Sequence, residues 1–160
     1  MATKRSGAED DAKEILNRVR RLVRALRSFD KDAQSRFGVG AAQMFILHVL
    51  QQESELTLNE VAARTATDQS SVSLAVGRLV DEGYVRRTTS EEDRRHVRLS
   101  LTPKGRALVR RAPPAAQSRI LESVANMAPA ERKQLMKLLE KLMTGMGVRE
   151  RGAPMLFQDK

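Results

Sequence analysis

A dense group of charged side chains stands in the segment TTSEEDRRHVRLSLTPKG, from Thr88 to Gly105. Two arginines, Arg94 and Arg95, directly follow a run of three acids. Guanidinium groups bind phosphate through paired, charge-assisted hydrogen bonds. The flanking segments YVRRTT and HVRLSL are rich in β-branched residues and are typical of strands. The pattern therefore predicts a β-hairpin that presents arginines at its tip and has acids to offset part of their charge.

The composition indicates a polyanionic partner. The 160-residue chain carries a net charge of +9, which favours nucleic acid or an anionic membrane surface. Residues 64–111 hold 11 Lys/Arg and 6 Asp/Glu, whereas residues 37–63 hold no Lys/Arg and 3 acids. Aromatic residues make up only 3% of the chain, which argues against base-stacking RNA or single-strand platforms. Duplex DNA fits better, although a merely soluble basic protein would have the same overall charge.

The chemistry that the chain lacks excludes several other classes of protein. Without cysteine there are no disulfides, thiol nucleophiles or thiol-based oxidant sensors. Two histidines, no phosphate-loop glycine pattern and no metal-ligand spacing predict a protein that is not an enzyme, with no catalytic residues, metal or cofactor. Residues 1–14 are polar, and the apolar run MFILHVL is too short to span a bilayer. We therefore expect a cytoplasmic protein without a membrane partner.

The apolar periodicity predicts a helix-turn-helix near the middle of the chain. After a disordered tail at 1–11, an amphipathic helix occupies 12–36, and a mostly buried helix follows at 41–52. Thr57 and Glu60 form a capping-box pattern before a short helix at 58–65. Asp68 is the expected N-cap of a helix at 69–82. With Val72 on the buried side, the outward side of this last helix is small and rich in hydroxyl groups.

The hairpin at 84–101 follows that helix directly, which makes the unit a winged helix. Thr102 and Pro103 then start a helix that runs to about residue 126. Pro113 and Pro114 should break it near Ala112, because each proline removes a backbone donor and clashes with the preceding turn. A last helix covers 129–146, and 147–160 form a tail. The apolar side of this last helix consists of Leu135, Leu138, Leu139, Leu142, Met143 and Met146.

The wing and its surroundings resemble the signature of the MarR (multiple antibiotic resistance regulator) family of transcriptional regulators. The segment SSVSLAVGRLVDEGYV is similar to the reading helix of the family and the turn after it. The matching signature positions in SEEDRRHVRLSLTPKG are Asp93, Arg95, Leu101, Thr102, Lys104 and Gly105. The resemblance implies a mainly α fold with a small β-wing. It comprises a winged helix-turn-helix DNA-binding lobe at 40–102 and a helical dimerisation lobe at 12–36 and 103–146.

The resemblance also implies a homodimer that represses transcription from a pseudo-palindromic operator in double-stranded DNA. The reading helix would enter the major groove while the wing reaches the adjoining minor groove, with Asp93 bracing Arg95 and Arg94 or Arg95 inserted. The residues expected to contact DNA, directly or by shaping the wing, are Gln69, Ser70, Ser71, Ser73, Arg78, Arg86, Arg87, Asp93, Arg94 and Arg95.

Members of the family commonly bind small aromatic acids or phenols, which release them from DNA. If this chain does so, the candidates for the ligand site are Arg18, Arg21, Met44, Phe45 and His48. For each of them an ordinary role on the surface or in the core is the alternative. A winged helix that serves protein interaction or RNA binding, without a ligand response, is the alternative for the whole chain.

Overall fold

A computed structural model of the chain describes residues 2–89 and 97–148, with side chains from residue 7 onward. In chain order these residues form seven α-helices and two β-strands. The elements are α1 Ala2–Phe37, α2 Ala41–Gln52, α3 Leu58–Thr65, α4 Gln69–Asp81, β1 Val85–Thr89, β2 Val97–Leu101, α5 Pro103–Arg111, α6 Ala116–Ala125 and α7 Pro129–Gly145. The fold is mainly helical with a small β-wing, as the sequence predicted.

The first helix is longer than the sequence predicted. It begins at Ala2, so the expectation of a disordered tail at residues 1–11 is wrong from residue 2 onward. Apolar periodicity starts only at Ile15, which is why the pattern predicted a later start. The preceding turns are nevertheless rich in helix-forming residues. They also gain ion pairs, with Lys13 Nζ at 3.1 Å from Glu9 Oε1 and 3.6 Å from Asp10 Oδ1.

The short helix α3 begins at the predicted capping box. The backbone N–H of Thr57 donates to Glu60 Oε2 at 2.7 Å, and the Glu60 N–H donates to Thr57 Oγ1 at 3.3 Å. These bonds satisfy two backbone donors that a helix start otherwise leaves free. The bond from the Thr57 backbone, followed by the bond from its hydroxyl, holds the pKa of Glu60 below its ordinary value.

The two strands form an antiparallel hairpin whose base is buried and whose outer part is exposed. Val85 pairs with Leu101 at the base, and Thr89 pairs with Val97 farther out. Only the first residue of β1 is buried, whereas Leu101 and its two predecessors in β2 are buried. The Leu99 N–H also donates to Leu56 O at 2.7 Å, which ties the hairpin to the loop between α2 and α3. The outer half of the hairpin therefore projects from the body of the protein.

The buried apolar core lies in the middle of the chain. Among the described residues, the buried apolar side chains all fall between Val39 and Ala116. They come mainly from α2, α3, α4, the hairpin and α5, with Met44, Ile46 and Leu47 among the largest. The winged-helix part of the chain therefore has a core of its own.

The long helices α1 and α7 add no fully buried apolar residue to this core among the residues whose side chains are described. No residue of α7 is buried, and the large apolar side chains from Leu138 to the C-cap Met146 are 40–70% exposed. Ile15 and Leu22 on α1 are exposed to a similar degree. Contiguous exposed apolar faces of this length are unusual on a monomeric protein and indicate an interaction surface.

The predicted proline break is present. Helix α5 ends at Arg111, and α6 begins only at Ala116. Ala112 is extended, with φ −89° and ψ 141°, as the residue before a proline prefers. The expectation of an interrupted helix between Thr102 and residue 126 is therefore confirmed. In residues 2–89 and 97–148, no helix combines the length and apolarity needed to cross a lipid bilayer.

Candidate DNA-binding surface

The start of α4 is fixed by its N-cap, Asp68. Asp68 Oδ1 accepts from the Ser71 backbone N–H at 2.9 Å, and Oδ2 accepts from the Ser71 hydroxyl at 2.8 Å. These two bonds, with the backbone bond the stronger cause, hold the pKa of Asp68 below its ordinary value. The carboxylate therefore stays ionised at neutral pH and complements the positive end of the helix dipole.

The turn between α3 and α4 is stabilised by hydroxyl groups. Thr65 Oγ1 donates to Val61 O at 2.8 Å, and Thr67 Oγ1 donates to Thr65 O at 2.9 Å. Ala66 at the end of α3 has φ 50°, a left-handed conformation that reverses the chain within a few residues. Together with the Asp68 cap, this turn sets the direction in which α4 leaves the helix-turn-helix.

One side of α4 packs against α2, α3 and β1, and the other side is open to solvent. Val72, Val76 and Leu79 are fully buried on the inner side. We call the open side the α4 face. It borders a shallow groove lined by Gln69, Ser70, Ser73, Leu74, Gly77, Arg78 and Asp81. This face offers hydroxyl, amide and guanidinium groups along about 18 Å of helix.

Of the five α4 residues predicted to contact DNA, the structure brings four to this face. Gln69, Ser70, Ser73 and Arg78 line the groove. Ser71 does not, since it is only 9% exposed and its hydroxyl donates to the capping carboxylate. The prediction that Ser71 contacts DNA stays a prediction, but its hydroxyl already bonds the capping carboxylate, a contact that helical periodicity alone does not reveal.

The hairpin, whose strand β1 contacts α4, carries the next two predicted contacts. Arg86 and Arg87 follow Val85 on β1 and are exposed. Arg86 Nε also donates to Ser100 Oγ on β2 at 2.9 Å, which fixes the direction of its side chain. Asp93, Arg94 and Arg95 fall outside the described residues, so their contacts with DNA and the bracing of Arg95 by Asp93 stay predictions.

The C-terminal part of the signature supports the hairpin. The Thr102 hydroxyl donates to Gly83 O at 2.7 Å and also accepts from the Gly105 N–H at 3.1 Å. Lys104 Nζ donates to Glu82 O at 2.7 Å and lies 4.3 Å from the centre of the Tyr84 ring. These residues thus join the end of α4, the base of the wing and the start of α5 into one rigid unit.

Gly105 occupies a position where no side chain fits. A Cβ there would lie 3.1 Å from the carbonyl carbon of Tyr84, still closer to its carbonyl oxygen, and 3.3 Å from Leu101 Cδ2. The backbone of α5 therefore packs directly on the backbone of the wing. This contact explains why position 105 is a glycine.

A cavity of about 240 Å³ lies where α1, α2 and the proline break meet. Its apolar wall includes Phe29, Met44, Pro113 and Pro114, and its charged rim includes Asp32, Arg36 and Arg119. The Arg119 guanidinium lies 4.7 Å from the centre of the Phe29 ring. An apolar wall next to two guanidinium groups, with one carboxylate on the same rim, could hold a small aromatic anion.

Comparison with known proteins shows that the helix-turn-helix and hairpin are similar to those of known transcriptional regulators. The profile of the MarR family matches residues 37–96. The repressor MdtR of Bacillus subtilis is 35% identical over 74 residues, a stretch that covers 46% of this chain and 48% of MdtR, about half its length. The winged-helix part of the chain is therefore similar to transcriptional regulators of the MarR family.

Two solved structures of similar proteins extend the match to most of the chain. A MepR-like protein complexed with pseudoligands is 25% identical, with a TM-score of 0.59 over 84% of this chain and 94% of that one. BpsR of Bordetella bronchiseptica is 29% identical, with a TM-score of 0.55 over 79% of this chain and 90% of that one. DNA binding by BpsR is regulated by 6-hydroxynicotinic acid.

The five residues predicted to bind a ligand do not line one cavity in this structure. Met44 lines the cavity, whereas Phe45 is buried in the core. His48 lies beside the cavity rather than in it, with Nε2 at 3.1 Å from Pro113 O. The single chain therefore does not bring these three residues into one cavity, and their role in ligand binding stays a prediction.

The two arginines of that prediction lie elsewhere. Arg18 is exposed and pairs with Glu14 at 3.0 Å, and Arg21 is also exposed on α1, about 12 Å along the helix from Phe29. Neither lines the cavity. The cavity instead uses Arg36 and Arg119, which the sequence pattern did not indicate. Position on an amphipathic helix gave no signal for them, because α1 and α6 meet only through the tertiary fold.

Proposed function

We propose that the protein is a homodimeric, sequence-specific regulator that represses transcription by binding a pseudo-palindromic operator. The observation that carries this proposal is the α4 face, an open row of small hydrogen-bonding side chains, and β1 adds two exposed arginines. B-DNA has a major groove wide enough for one helix, and such a helix reads base edges with its N-terminal residues. The repressor name of the relative MdtR supports the direction of the regulation.

Within this proposal the residues of α4 have distinct roles. Gln69, Ser70 and Ser73 lie in the first two turns, where they hydrogen-bond to base edges or to phosphates. Arg78 lies farther along the helix and contacts the backbone of the DNA, together with Arg87 from β1. The free N–H groups at the start of α4 favour a phosphate at the same end. Ser71 acts indirectly, through its bonds with the capping carboxylate.

The wing supplies the second contact. Arg86 is directed by its bond to Ser100 and meets a phosphate, whereas Arg94 or Arg95 enters the neighbouring minor groove. The negative potential of a narrow minor groove favours arginine there. In this proposal Asp93 braces Arg95, as the family resemblance implies.

The exposed apolar faces of α1 and α7 support a second copy of the chain as the dimer partner. They lie outside the buried core, and their exposure in a single chain is large. Residues 12–36 and 103–146 accordingly serve as the dimerisation lobe, and residues 40–102 serve as the DNA-binding lobe. Two reading helices related by a two-fold axis would read half-sites about 34 Å apart.

Selection of duplexes from a random pool, followed by fluorescence anisotropy with the tightest duplex, tests the proposal. A variant with both Arg94→Ala and Arg95→Ala should bind this duplex at least about tenfold more weakly and should stay a dimer. A variant with Arg20→Ala and Arg24→Ala on α1 is the matched control, since it loses the same charge away from the α4 face. Equal loss in both variants, or selection of no sequence, would contradict specific binding. Preference for duplex RNA as competitor would favour an RNA-binding module.

We also propose that a small aromatic acid binds the cavity and weakens DNA binding. Arg119 and Arg36 would pair with the carboxylate while the ring lies against the prolines and Met44. A ligand that prefers the spacing of the DNA-free dimer must lower DNA affinity by linkage. Titration of the protein–DNA complex with 6-hydroxynicotinic acid tests this, and release of the duplex is the expected result. An unchanged affinity for DNA at saturating ligand would overturn it.

A further inference from the structure

Leu74 is the only large apolar side chain exposed on α4, a helix described over its whole length, and it is 49% exposed. It lies in the groove of the α4 face with serines and a glycine as neighbours. An exposed leucine at the centre of a polar reading surface loses free energy in water unless something covers it. The structure therefore raises the question of what contacts Leu74 in the working protein.

The fold itself does not explain this leucine. The inner side of α4 packs through Val72, Val76 and Leu79, on the opposite side of the helix from Leu74. The long exposed apolar faces belong to α1 and α7, whereas α4 packs against α2, α3 and β1. Neither the core nor the proposed dimer surface therefore accounts for Leu74.

The residues next to Leu74 on the α4 face are small and leave its side chain exposed. Ser70 and Ser73 are short, and a Cβ added at Gly77 would meet nothing within 4 Å. Asp81 exposes a carboxylate at the C-terminal end of the same groove, where the helix dipole is also negative. The Asp81 carboxylate therefore disfavours close approach of a phosphate beyond Arg78. In the proposed complex, the first two turns of α4, which include Leu74, approach the bases most closely.

The groups exposed in the major groove determine what an apolar side chain such as Leu74 can contact there. Its base edges present hydrogen-bond donors and acceptors, and the one apolar group among them is the C5-methyl of thymine. A leucine set against donors and acceptors would strip them of water without replacing their hydrogen bonds. A leucine set against a methyl group buries apolar surface on both sides.

We propose that Leu74 is a specificity-determining residue that packs against the methyl group of a thymine in each half-site. This inference rests on the proposed function, since it requires α4 to lie in the major groove. The two serines beside Leu74 hydrogen-bond to neighbouring bases, and the leucine adds selection for thymine at one position. The operator should therefore contain an invariant thymine in each half-site.

Replacement of thymine by deoxyuridine tests the proposal, because it removes only the methyl group and keeps every hydrogen bond. Each thymine of the tightest selected duplex is replaced in turn, and binding is measured by anisotropy. With the unmodified protein, one position per half-site should lose roughly fourfold in affinity, the effect of one buried methyl group. The Leu74→Ala variant should bind the thymine and deoxyuridine duplexes equally.

Arg87→Ala is the matched control, since a phosphate contact should weaken binding to both duplexes by the same factor. If no position is sensitive to deoxyuridine, or if Leu74→Ala keeps the sensitivity, the proposal is wrong although the protein binds DNA. If the unmodified protein binds no duplex, the proposed function itself fails. The deoxyuridine scan of the unmodified protein decides between these results even if the variant folds poorly.

Discussion

The contact between α5 and the wing leads to a sharp prediction for Gly105→Ala. Alanine has the higher helix propensity, and on that ground alone the change should stabilise α5 by about 0.5–1 kcal/mol. In this fold, however, the added Cβ would overlap the Tyr84 carbonyl, with the Leu101 side chain at 3.3 Å on the other side. The helix would have to move by roughly 1 Å, a strain that costs about 1–3 kcal/mol.

That movement also weakens the bonds around the contact. The Thr102 N–H donates to Tyr84 O at 3.0 Å, and the Thr102 hydroxyl donates to Gly83 O at 2.7 Å. Each such bond contributes about 1 kcal/mol. After the gain in propensity is subtracted, we expect a net loss of about 2–3 kcal/mol. For a chain of this size, the loss lowers Tm by roughly 4–12 °C.

Thermal unfolding followed by circular dichroism at one fixed protein concentration measures this loss. Gly77→Ala is the matched control, because it makes the same change in a helix where the Cβ meets nothing within 4 Å. The control should raise the stability by about 0.5–1 kcal/mol. If Gly105→Ala is as stable as Gly77→Ala, the packing of α5 on the wing is not as described.

Three further predictions concern the proposed dimer surface, the N-cap of α4 and the cavity. Leu142→Glu should raise the dimer dissociation constant more than about a hundredfold, measured by analytical ultracentrifugation, because it buries an unpaired charge. Asp68→Ala should lower Tm at neutral pH by removing the α4 cap. Because folding lowers the pKa of Asp68, this difference should shrink as pH falls through that pKa. Arg119→Ala should weaken binding of 6-hydroxynicotinic acid roughly tenfold or more by calorimetry, since a charged bond to the carboxylate is lost.

Each of these changes has a control in the same element or nearby. Lys141→Glu changes charge on α7 away from its apolar side and should leave the dimer intact. Asp68→Asn keeps a good N-cap and should lose less stability than Asp68→Ala. Arg110→Ala removes an exposed cation from α5 and should leave ligand binding unchanged. A control that matches its partner variant would contradict the corresponding prediction.

Local chemistry explains which parts of the fold the sequence could predict. Thr57, Asp68 and Thr102 each cap a helix within three residues, so that their role depends on neighbours in the chain rather than on the tertiary fold. The break at Pro113 is equally local, because proline interrupts a helix in any context. The ends of α2, α3 and α4 and the position of the wing were therefore predictable.

The features that the sequence did not predict depend on side-chain contacts that the periodicity of one helix does not reveal. Ser71 has the position of a flank residue, but its hydroxyl faces the Asp68 carboxylate. The cavity needs α1, α2 and α6 to converge, and so Arg36 and Arg119 could not be found from periodicity. Leu74 was predictable as an outward residue, yet an apolar side chain there did not by itself indicate a contact. The proposal that Leu74 contacts a base depends on its position next to the serines of the α4 face.

The four residues between α5 and α6 have a mechanical consequence. Pro113 and Pro114 fix φ at two successive positions, and Pro113 O also lies 3.1 Å from His48 Nε2 of α2. The segment between α5 and α6 is thus restrained by its two prolines and by the contact with α2, and is not a flexible linker. Since both prolines line the cavity, a molecule bound there would contact this segment directly. Because α6 starts directly after the segment, its orientation relative to the helix-turn-helix depends on the backbone conformation at these four residues.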